Sequence, residues 1–167
     1  MVGFIREYIQ RSIYLEKISP YIDKDIIKVI IGQRRVGKSY MLFQIMEKIM
    51  SMHGHPQIIY INKELDDFET IRTYDDLLEY IKSKEIGSGK KYLFIDEIQE
   101  IEGFEKALRS FQAKGDYDIY CTGSNAKLLS GELASYLSGR YVEIKLYSLS
   151  FTEFIDFHKL SNNQESL

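Results

Sequence analysis

The sequence predicts an α/β fold in which helices cover both faces of a parallel five-stranded sheet. Five short apolar runs, rich in β-branched residues, alternate with segments whose apolar residues recur at helical spacing. The inner runs are continuously apolar, as expected for parallel strands buried on both faces. A glycine-rich loop joins the first run directly to a helical segment. These features predict one three-layer αβα sandwich, and 167 residues are enough for a single such domain.

The first three elements are a helix, a strand and a second helix. Residues 4–18 have apolar residues at loosely helical spacing, and Pro20 is expected to end that helix. Residues 26–31 (IIKVII) form a β-branched run that ends at a glycine, which predicts a buried strand. From Lys38, apolar residues recur one helical turn apart until the turn-forming residues 53–56, so we expect a second helix.

The middle of the chain repeats this alternation. Apolar runs at residues 57–61 and 92–96 predict the second and third strands. Between them, residues 74–84 have a helical pattern. The Thr73-x-x-Asp76 sequence before it matches a capping box, in which each side chain bonds the other residue's backbone N–H at a helix start.

The last predicted elements complete the sheet. A helix around Phe104 is expected to lead to a fourth strand at residues 118–122. Residues 127–137 then look helical and end before Gly139. Residues 141–146 alternate, with apolar side chains on one face, which is typical of a strand at the edge of a sheet.

Composition limits the classes of function. The formal net charge of −3 provides no global attraction to nucleic acid or to an anionic membrane. Charges interrupt residues 1–18 every few positions, so we expect neither a signal peptide nor a membrane span there, and no membrane partner. The single cysteine, Cys121, excludes an internal disulfide and suits a reducing cytoplasm. These features predict a cytoplasmic protein.

The loop after the first strand carries a complete phosphate-binding motif. Its sequence, GQRRVGKS at residues 32–39, satisfies G-x-x-x-x-G-K-[ST] between a strand and a helix. Glycines let successive backbone N–H groups converge on phosphate, and Lys38 adds a charge toward the β and γ oxygens. Ser39 would supply a hydroxyl oxygen to Mg²⁺. The predicted nucleotide-binding residues are Gly32, Gln33, Arg34, Arg35, Val36, Gly37, Lys38, Ser39 and Tyr40.

Two acids follow the third strand, at the carboxyl end where α/β sheets place ligand chemistry. We expect Asp96 to hold a hydrated Mg²⁺. Glu97 is expected to orient and polarise an attacking water as the general base. Surface acids often follow strands, so this prediction depends on the phosphate-binding loop upstream.

Two further positions are candidates with competing explanations. Ser124 and Asn125 follow the fourth strand, where a hydroxyl or amide would reach the γ-phosphate; turn formation or helix capping explains them equally well. Arg140, just before the last strand, would suit an arginine finger acting in a neighbouring subunit. It would equally suit an ordinary surface arginine after a helix end, and the sequence favours that reading.

The motifs GQRRVGKS, YLFIDEIQ, YCTGSNAKLL and LSGRYVEIKLYSLSFTEF together resemble AAA-type ATPases. Within that class the chain is most similar to prokaryotic predicted ATPases whose longer chains continue into a nuclease-like domain of uncharacterised function. The resemblance covers residues 11–157. It implies a sheet order of 5-1-4-3-2, Asp96 and Glu97 as the Walker B pair, Ser124 or Asn125 as the sensor, and Arg140 as the finger candidate.

The resemblance also predicts the domain organisation and the ligands. Residues 1–24 would be a helical lead-in, 25–157 a P-loop ATPase core without the family's lid, and 158–167 a tail or the start of a truncated linker. The ligands would be ATP and Mg²⁺. A homo-oligomer is one expected arrangement, and a DNA or protein partner would act through the absent C-terminal region.

Two functions agree with these features. The leading one is an ATPase that serves as the motor or switch module of a larger chain, although this part alone need not turn over without a lid. The alternative is a nucleotide-gated regulator that binds DNA or protein and hydrolyses little. The near-neutral charge counts against strong DNA binding.

Overall fold

The computed structural model describes residues 8–124, 137 and 139–158, and within them all strands form one parallel sheet. The order is β2-β3-β4-β1-β5, which is the predicted order 5-1-4-3-2 starting from the opposite edge. The predicted fold class is therefore confirmed, with the last strand at an edge. The strands are β1 Ile27–Ile31, β2 Gln57–Asn62, β3 Lys91–Asp96, β4 Tyr117–Gly123 and β5 Tyr141–Lys145.

The helices lie close to their predicted positions except at the start. The described helices are α1 Ser12–Ile18, α2 Lys38–His53, α3 Tyr74–Lys84, α4 Phe104–Lys114 and α5 Phe151–His158. Of these, none is long and apolar enough to cross a membrane. The helix predicted over 127–137 lies outside the described residues apart from Leu137.

The prediction of a helix from residue 4 is wrong for residues 8–11, where the structure shows no regular helix; residues 4–7 lie outside the described part. Arg11 has a non-helical backbone, with φ −96° and ψ 70°. Its N–H donates to the side chain of Gln44 in α2 at 2.8 Å. The backbone of this segment is therefore bonded to α2 instead of forming a helical turn.

The two faces of the sheet are covered by separate helix pairs. Successive strand residues point to opposite faces, so Leu93 and Ile95 pack with α3 and α4, while Phe94 packs with α1 and α2. Each fully buried aliphatic side chain contributes about 1.5–3 kcal/mol. Asp96 has the same parity as Phe94 and therefore lies on the α2 face. This alternation places the acid beside the helix that follows the phosphate-binding motif.

The loop after β1 begins close to Leu146, the residue that follows β5. A Cβ at Gly32 would lie 2.5 Å from the Leu146 carbonyl oxygen, so only glycine allows this approach. Gly37 adopts a left-handed conformation with φ 92° immediately before the helix. The loop between them therefore turns sharply into α2.

The capping box predicted for α3 is present. The hydroxyl of Thr73 accepts from the Asp76 N–H at 3.3 Å, and the Asp76 carboxylate accepts from the Thr73 N–H at 2.9 Å. Two N–H groups that lack partners within the helix are satisfied in this way. The helix accordingly begins at Tyr74, as predicted.

A buried ion pair lies at the amino end of the sheet, and the apolar pattern did not predict it. Lys28 and Asp118 pair directly, and neither side chain is exposed to solvent. The Lys28 ammonium also donates to the Lys24 carbonyl at 3.0 Å. Asp118 also accepts from the Tyr120 hydroxyl at 2.9 Å and the Asp23 N–H at 2.8 Å. Burial lowers the pKa of Lys28, and the charge of Asp118 only partly offsets this effect.

Cys121 lies in the middle of β4 and is completely buried between the sheet and the α3–α4 layer. Burial raises the pKa of its thiol to about 12. The side chain therefore acts as a small apolar group in the core.

Candidate functional site

A cleft of about 780 Å³ opens at the carboxyl end of the sheet. This volume lies within the usual range for small-molecule sites. The cleft contains both the predicted loop and one of the predicted acids. Its lining residues are Arg34, Arg35, Gly37, Lys38, Ser39, Tyr40, Glu64 and Glu97.

The backbone of the loop explains how its residues surround the cleft. Arg35 and Gly37 both have positive φ, at 66° and 92°, so the backbone is left-handed at two of three successive residues. The helix then begins at Lys38, and the first N–H groups of a helix have no partner within it. The loop and helix start thus offer unpaired N–H groups beside two exposed arginines, Arg34 and Arg35.

Lys38 is almost fully buried at the floor of the cleft. Its ammonium donates to the carbonyls of Gly32 at 3.4 Å and Gln33 at 3.2 Å. It also forms an ion pair with Glu97, at 3.2 Å between Nζ and Oε1. A phosphate would compete with these groups for the ammonium.

Asp96 is buried among hydroxyl groups. Its carboxylate accepts from the hydroxyls of Ser39 and Thr122, and the Tyr60 hydroxyl lies 3.5 Å away. Burial raises the pKa of Asp96, and the hydrogen bonds from Ser39 and Thr122 only partly counter it. The carboxylate therefore lies where a cation would stabilise its charged form.

Glu97 is held in a strained conformation by several partners. Its φ of 55° lies in the left-handed region, which is unusual for a residue other than glycine. One carboxylate oxygen accepts from the Gln99 amide at 2.6 Å and the Ser124 hydroxyl at 2.8 Å. Burial alone would raise the pKa of Glu97, but the bonds from Gln99 and Ser124 and the charge of Lys38 outweigh it and lower that pKa.

Thr122 links the two acids. Its hydroxyl donates to Asp96 and accepts from the Glu97 N–H at 2.9 Å. Thr122 is fully buried at the end of β4 and faces the same side of the sheet as Asp96. One hydroxyl thereby fixes the side chain of Asp96 and the backbone of Glu97.

The structure brings together most of the predicted site residues. Lys38, Ser39, Asp96, Glu97 and Ser124 are joined by the contacts above, and Asn125 lies outside the described residues. The remaining loop positions differ in what they contact.

Within the loop, Gly32 lies against the Leu146 carbonyl just after β5. The Gln33 carbonyl accepts from Lys38, and the Val36 carbonyl accepts from Arg11. Tyr40 lines the cleft, and its ring contacts Tyr8 and Phe43 edge to face. Tyr40 therefore places an aromatic ring beside the cleft.

Arg140 is far from this cleft. It precedes β5, and its carbonyl accepts from the Ile27 N–H at 3.1 Å, at the amino end of the sheet. The loop begins after Ile31, five residues along β1, or roughly 16 Å at about 3.3 Å per residue. The fold therefore does not bring Arg140 to the phosphate-binding loop of its own chain. Arg140 instead borders a second cleft with Lys106 and Arg109.

Sequence reasoning did not assign roles to Thr122, Gln99, Glu64 or Arg11. Thr122 is a hydroxyl in an otherwise apolar run, and Gln99 follows the acid pair by two residues, so both carried a detectable local signal. Glu64 reaches the cleft from the segment after β2. The contacts of Arg11 join distant parts of the chain and had no local signal.

Comparison with known proteins identifies the class of this fold. A family model described as an AAA domain matches residues 24–155. An uncharacterized protein of Haemophilus influenzae is 44% identical over 149 residues, covering 88% of this chain and 37% of the relative. An uncharacterized protein of Methanocaldococcus jannaschii is 38% identical over 159 residues, covering 90% and 35%. The chain thus spans little more than a third of these curated relatives.

Solved structures with low sequence identity share the fold. Cdc6p from Pyrobaculum aerophilum superposes with a TM-score of 0.62 at 10% identity, covering 95% of this chain and 51% of that one. Hsp104 in the Saccharomyces cerevisiae Hsp104:casein complex gives a TM-score of 0.67 at 16% identity, covering 94% and 30%. The sheet order and these similarities describe an AAA-like P-loop fold.

Proposed function

The chain belongs to the AAA domain family, and we propose that it binds ATP with Mg²⁺ and hydrolyses it to ADP and phosphate. The observation that carries this proposal is that Lys38, Ser39 and Glu97 line one cleft and that the buried Asp96 contacts Ser39 directly behind it. The first two begin the helix after the loop, and the other two end β3 and follow it. The module would act as the motor or switch of a longer chain.

The residues present fit a magnesium triphosphate. Mg²⁺ prefers oxygen ligands, and Ser39 and Asp96 offer a hydroxyl and a carboxylate that already touch each other. Burial disfavours the charge of Asp96, so a cation there would relieve that cost. When bound, the ion would neutralise charge on the phosphate oxygens. Lys38 and the N–H groups at the start of α2 would hold the phosphates.

Glu97 would act on the attacking water. In hydrolysis, the water oxygen bonds to the γ-phosphorus as the bond to the β–γ bridging oxygen breaks, and that oxygen leaves with the electron pair on ADP. Glu97 would accept the water proton. Phosphate would draw Lys38 away from Glu97, so the carboxylate would lose a partner that lowers its pKa and become a better base.

Ser124 and Asn125 are proposed to report the γ-phosphate. The Ser124 hydroxyl donates to the Glu97 carboxylate at 2.8 Å, so it directly contacts the proposed base. If Ser124 donated to a phosphate oxygen instead, Glu97 would lose this hydrogen bond. Asn125 keeps this role only through the family resemblance.

A homo-oligomer is the arrangement in which Arg140 would contribute to hydrolysis. Its position at the amino end of the sheet prevents it from reaching its own loop. A second copy would have to present Arg140 to the neighbouring cleft, where its cation would stabilise transition-state charge.

Phosphate release by purified protein with Mg-ATP tests the proposal. Glu97→Gln should lower kcat by about 100-fold or more because the general base is lost, with nucleotide binding retained. The matched control is Glu102→Gln, the same substitution at an exposed position, which should hydrolyse at the parental rate. Lys38→Ala should weaken binding by about tenfold or more, since a buried charge partner of phosphate is removed. Equal rates for Glu97→Gln and the parent would refute the role of Glu97.

The alternative, a nucleotide-gated binding module with little hydrolysis, has one observation in its favour. Lys38, Gln99 and Ser124 all hold Glu97, and together they lower its pKa, which weakens it as a base. Filter binding of duplex DNA over a salt series, with and without nucleotide, would detect a DNA partner by its salt dependence. Retention that requires nucleotide without phosphate release would favour this alternative. Salt-independent, nucleotide-independent retention would argue against it.

A further inference from the structure

Arg11 is a nearly buried cation whose contacts join three separate parts of the chain. Its guanidinium pairs with both carboxylate oxygens of Glu153 in α5, at 2.8 and 3.0 Å. It also donates to the carbonyls of Tyr147 at 2.8 Å and Ser148 at 3.3 Å, in the segment after β5. A fifth bond reaches the Val36 carbonyl in the phosphate-binding loop at 3.3 Å.

These contacts use the whole hydrogen-bonding capacity of the side chain. An arginine guanidinium has five N–H donors in a fixed fork, and the five bonds above involve Nε once and each terminal nitrogen twice. No donor remains for a phosphate or a base. The direct contact of Arg11 with the phosphate-binding loop is the bond to the Val36 carbonyl.

The arginine is itself fixed from both sides. Its backbone N–H donates to the Gln44 side chain at 2.8 Å, and the Gln44 amide donates to the Ile9 carbonyl at 2.9 Å. The guanidinium lies over the Tyr14 ring, 4.6 Å from its centroid. The hydrogen bonds from Arg11 and from Ser150 lower the pKa of Glu153 to about 2, so that carboxylate stays charged near neutral pH.

We propose that Arg11 is a positioning residue for the phosphate-binding loop. Through the Val36 carbonyl it fixes the loop residue that precedes Gly37, and it ties that residue to the start of α5. This inference rests on the proposed nucleotide binding. The N–H groups that follow Val36 would face phosphates common to ADP and ATP, so a displaced loop loses affinity for both nucleotides alike. A residue that contacts the γ-phosphate would affect ATP alone.

The test is titration calorimetry with Mg-ADP and Mg-ATP on the whole chain, with the unfolding midpoint measured beside it. Arg11→Met should raise both dissociation constants by about tenfold, which corresponds to losing a charge-assisted hydrogen bond, and leave their ratio unchanged. Arg11→Lys and Glu153→Gln, which keep part of the network, should give smaller increases. If Arg11→Met does not fold, these two variants carry the test.

Lys91→Met is the matched control. Lys91 has the same side-chain exposure, 5%, and pairs with Asp116 at 2.7 Å at the amino end of the sheet. Loss of the Lys91–Asp116 ion pair should lower the unfolding midpoint without changing nucleotide affinity. This result would distinguish a positioning role of Arg11 from a general effect on stability.

The outcomes separate this inference from the proposed function. If the parent binds and the Arg11 variants bind equally well, the inference is wrong and the proposed nucleotide binding stands. A change for ATP alone would also overturn it, since that indicates a γ-phosphate contact. If the parent binds neither nucleotide, the proposed function fails and the inference fails with it.

Discussion

The two ends of the sheet both contain a buried lysine paired with an acid, yet the pairs are built differently. At the amino end, Lys28 and Asp118 have no exposed surface, and protein groups fill their remaining contacts. At the carboxyl end, Lys38 and Glu97 retain 4% and 12% side-chain exposure beside the 780 Å³ cleft. The first pair is closed, in the sense that all its contacts are with protein groups, so we expect changes there to alter only the stability of the fold. The second has contacts that a ligand can exchange.

An aromatic layer separates the two polar clusters on the same face of the sheet. Phe94 and Tyr120 stack with centroids 4.6 Å apart and an interplanar angle of 8°. Side chains alternate between the two faces along β4, so Asp118 and Thr122 lie on the same face as Tyr120. Asp118 lies toward the amino end of the strand, and Thr122 lies toward its carboxyl end. Because changes at sites without shared partners usually add independently, we expect the two ends to respond separately.

The largest expected effect is at the amino end. Lys28→Met leaves Asp118 buried without its cation, which should lower the free energy of unfolding by about 3–5 kcal/mol in urea titrations. Where the protein remains folded, nucleotide affinity should be unchanged. The double variant Lys28→Met/Asp118→Asn removes both charges, keeps an acceptor for the Tyr120 hydroxyl and the Asp23 N–H, and should recover most of the loss. A Lys28→Met protein as stable as the parent would contradict the closed-pair description.

An intermediate effect is expected at Thr122. Thr122→Val leaves the Glu97 N–H without its acceptor and removes a donor to Asp96, which should cost about 1–3 kcal/mol of stability. Unlike changes at Lys28, it should also weaken Mg-dependent nucleotide binding, measured by calorimetry. Thr122→Ser keeps the hydroxyl and is the control. Unchanged binding in Thr122→Val would show that this hydroxyl does not organise the site.

The smallest effect has the opposite sign. Because the pKa of Asp96 is raised in the folded protein, its charge disfavours folding at neutral pH. Asp96→Asn should therefore raise the thermal midpoint at pH 7 and weaken magnesium-dependent nucleotide binding.

The increase in thermal midpoint caused by Asp96→Asn should be complete at pH values above the pKa of Asp96 in the folded protein. It should vanish below the ordinary pKa of 3.8, where Asp96 of the parent is protonated in both the folded and the unfolded protein. Thermal unfolding across this pH range measures it. A lower midpoint at every pH would indicate that the charged carboxylate stabilises the fold.

The predictable parts of the molecule are those with local signals. The β-branched runs, the 32–39 loop and the Thr73 capping box each lie within a few residues, and the fold and the α3 boundary followed from them. The Lys28–Asp118 pair joins residues 90 positions apart, and the letters IIKVII give no sign of it. Arg11 and Glu153 are 142 positions apart. The prediction of a helix from residue 4 therefore could not include the long-range contacts that Arg11 makes. The inward positions of these charges depend on register, which only the assembled sheet defines.

The buried Cys121 provides a native probe of unfolding. A thiol with no exposed surface and a pKa raised to about 12 reacts with alkylating reagents only after the sheet opens. Since the chain has one cysteine, its labelling rate reports opening of the central strands without an engineered tag. A nucleotide that binds only the closed form would slow that labelling, so chemical protection becomes a readout of ligand binding.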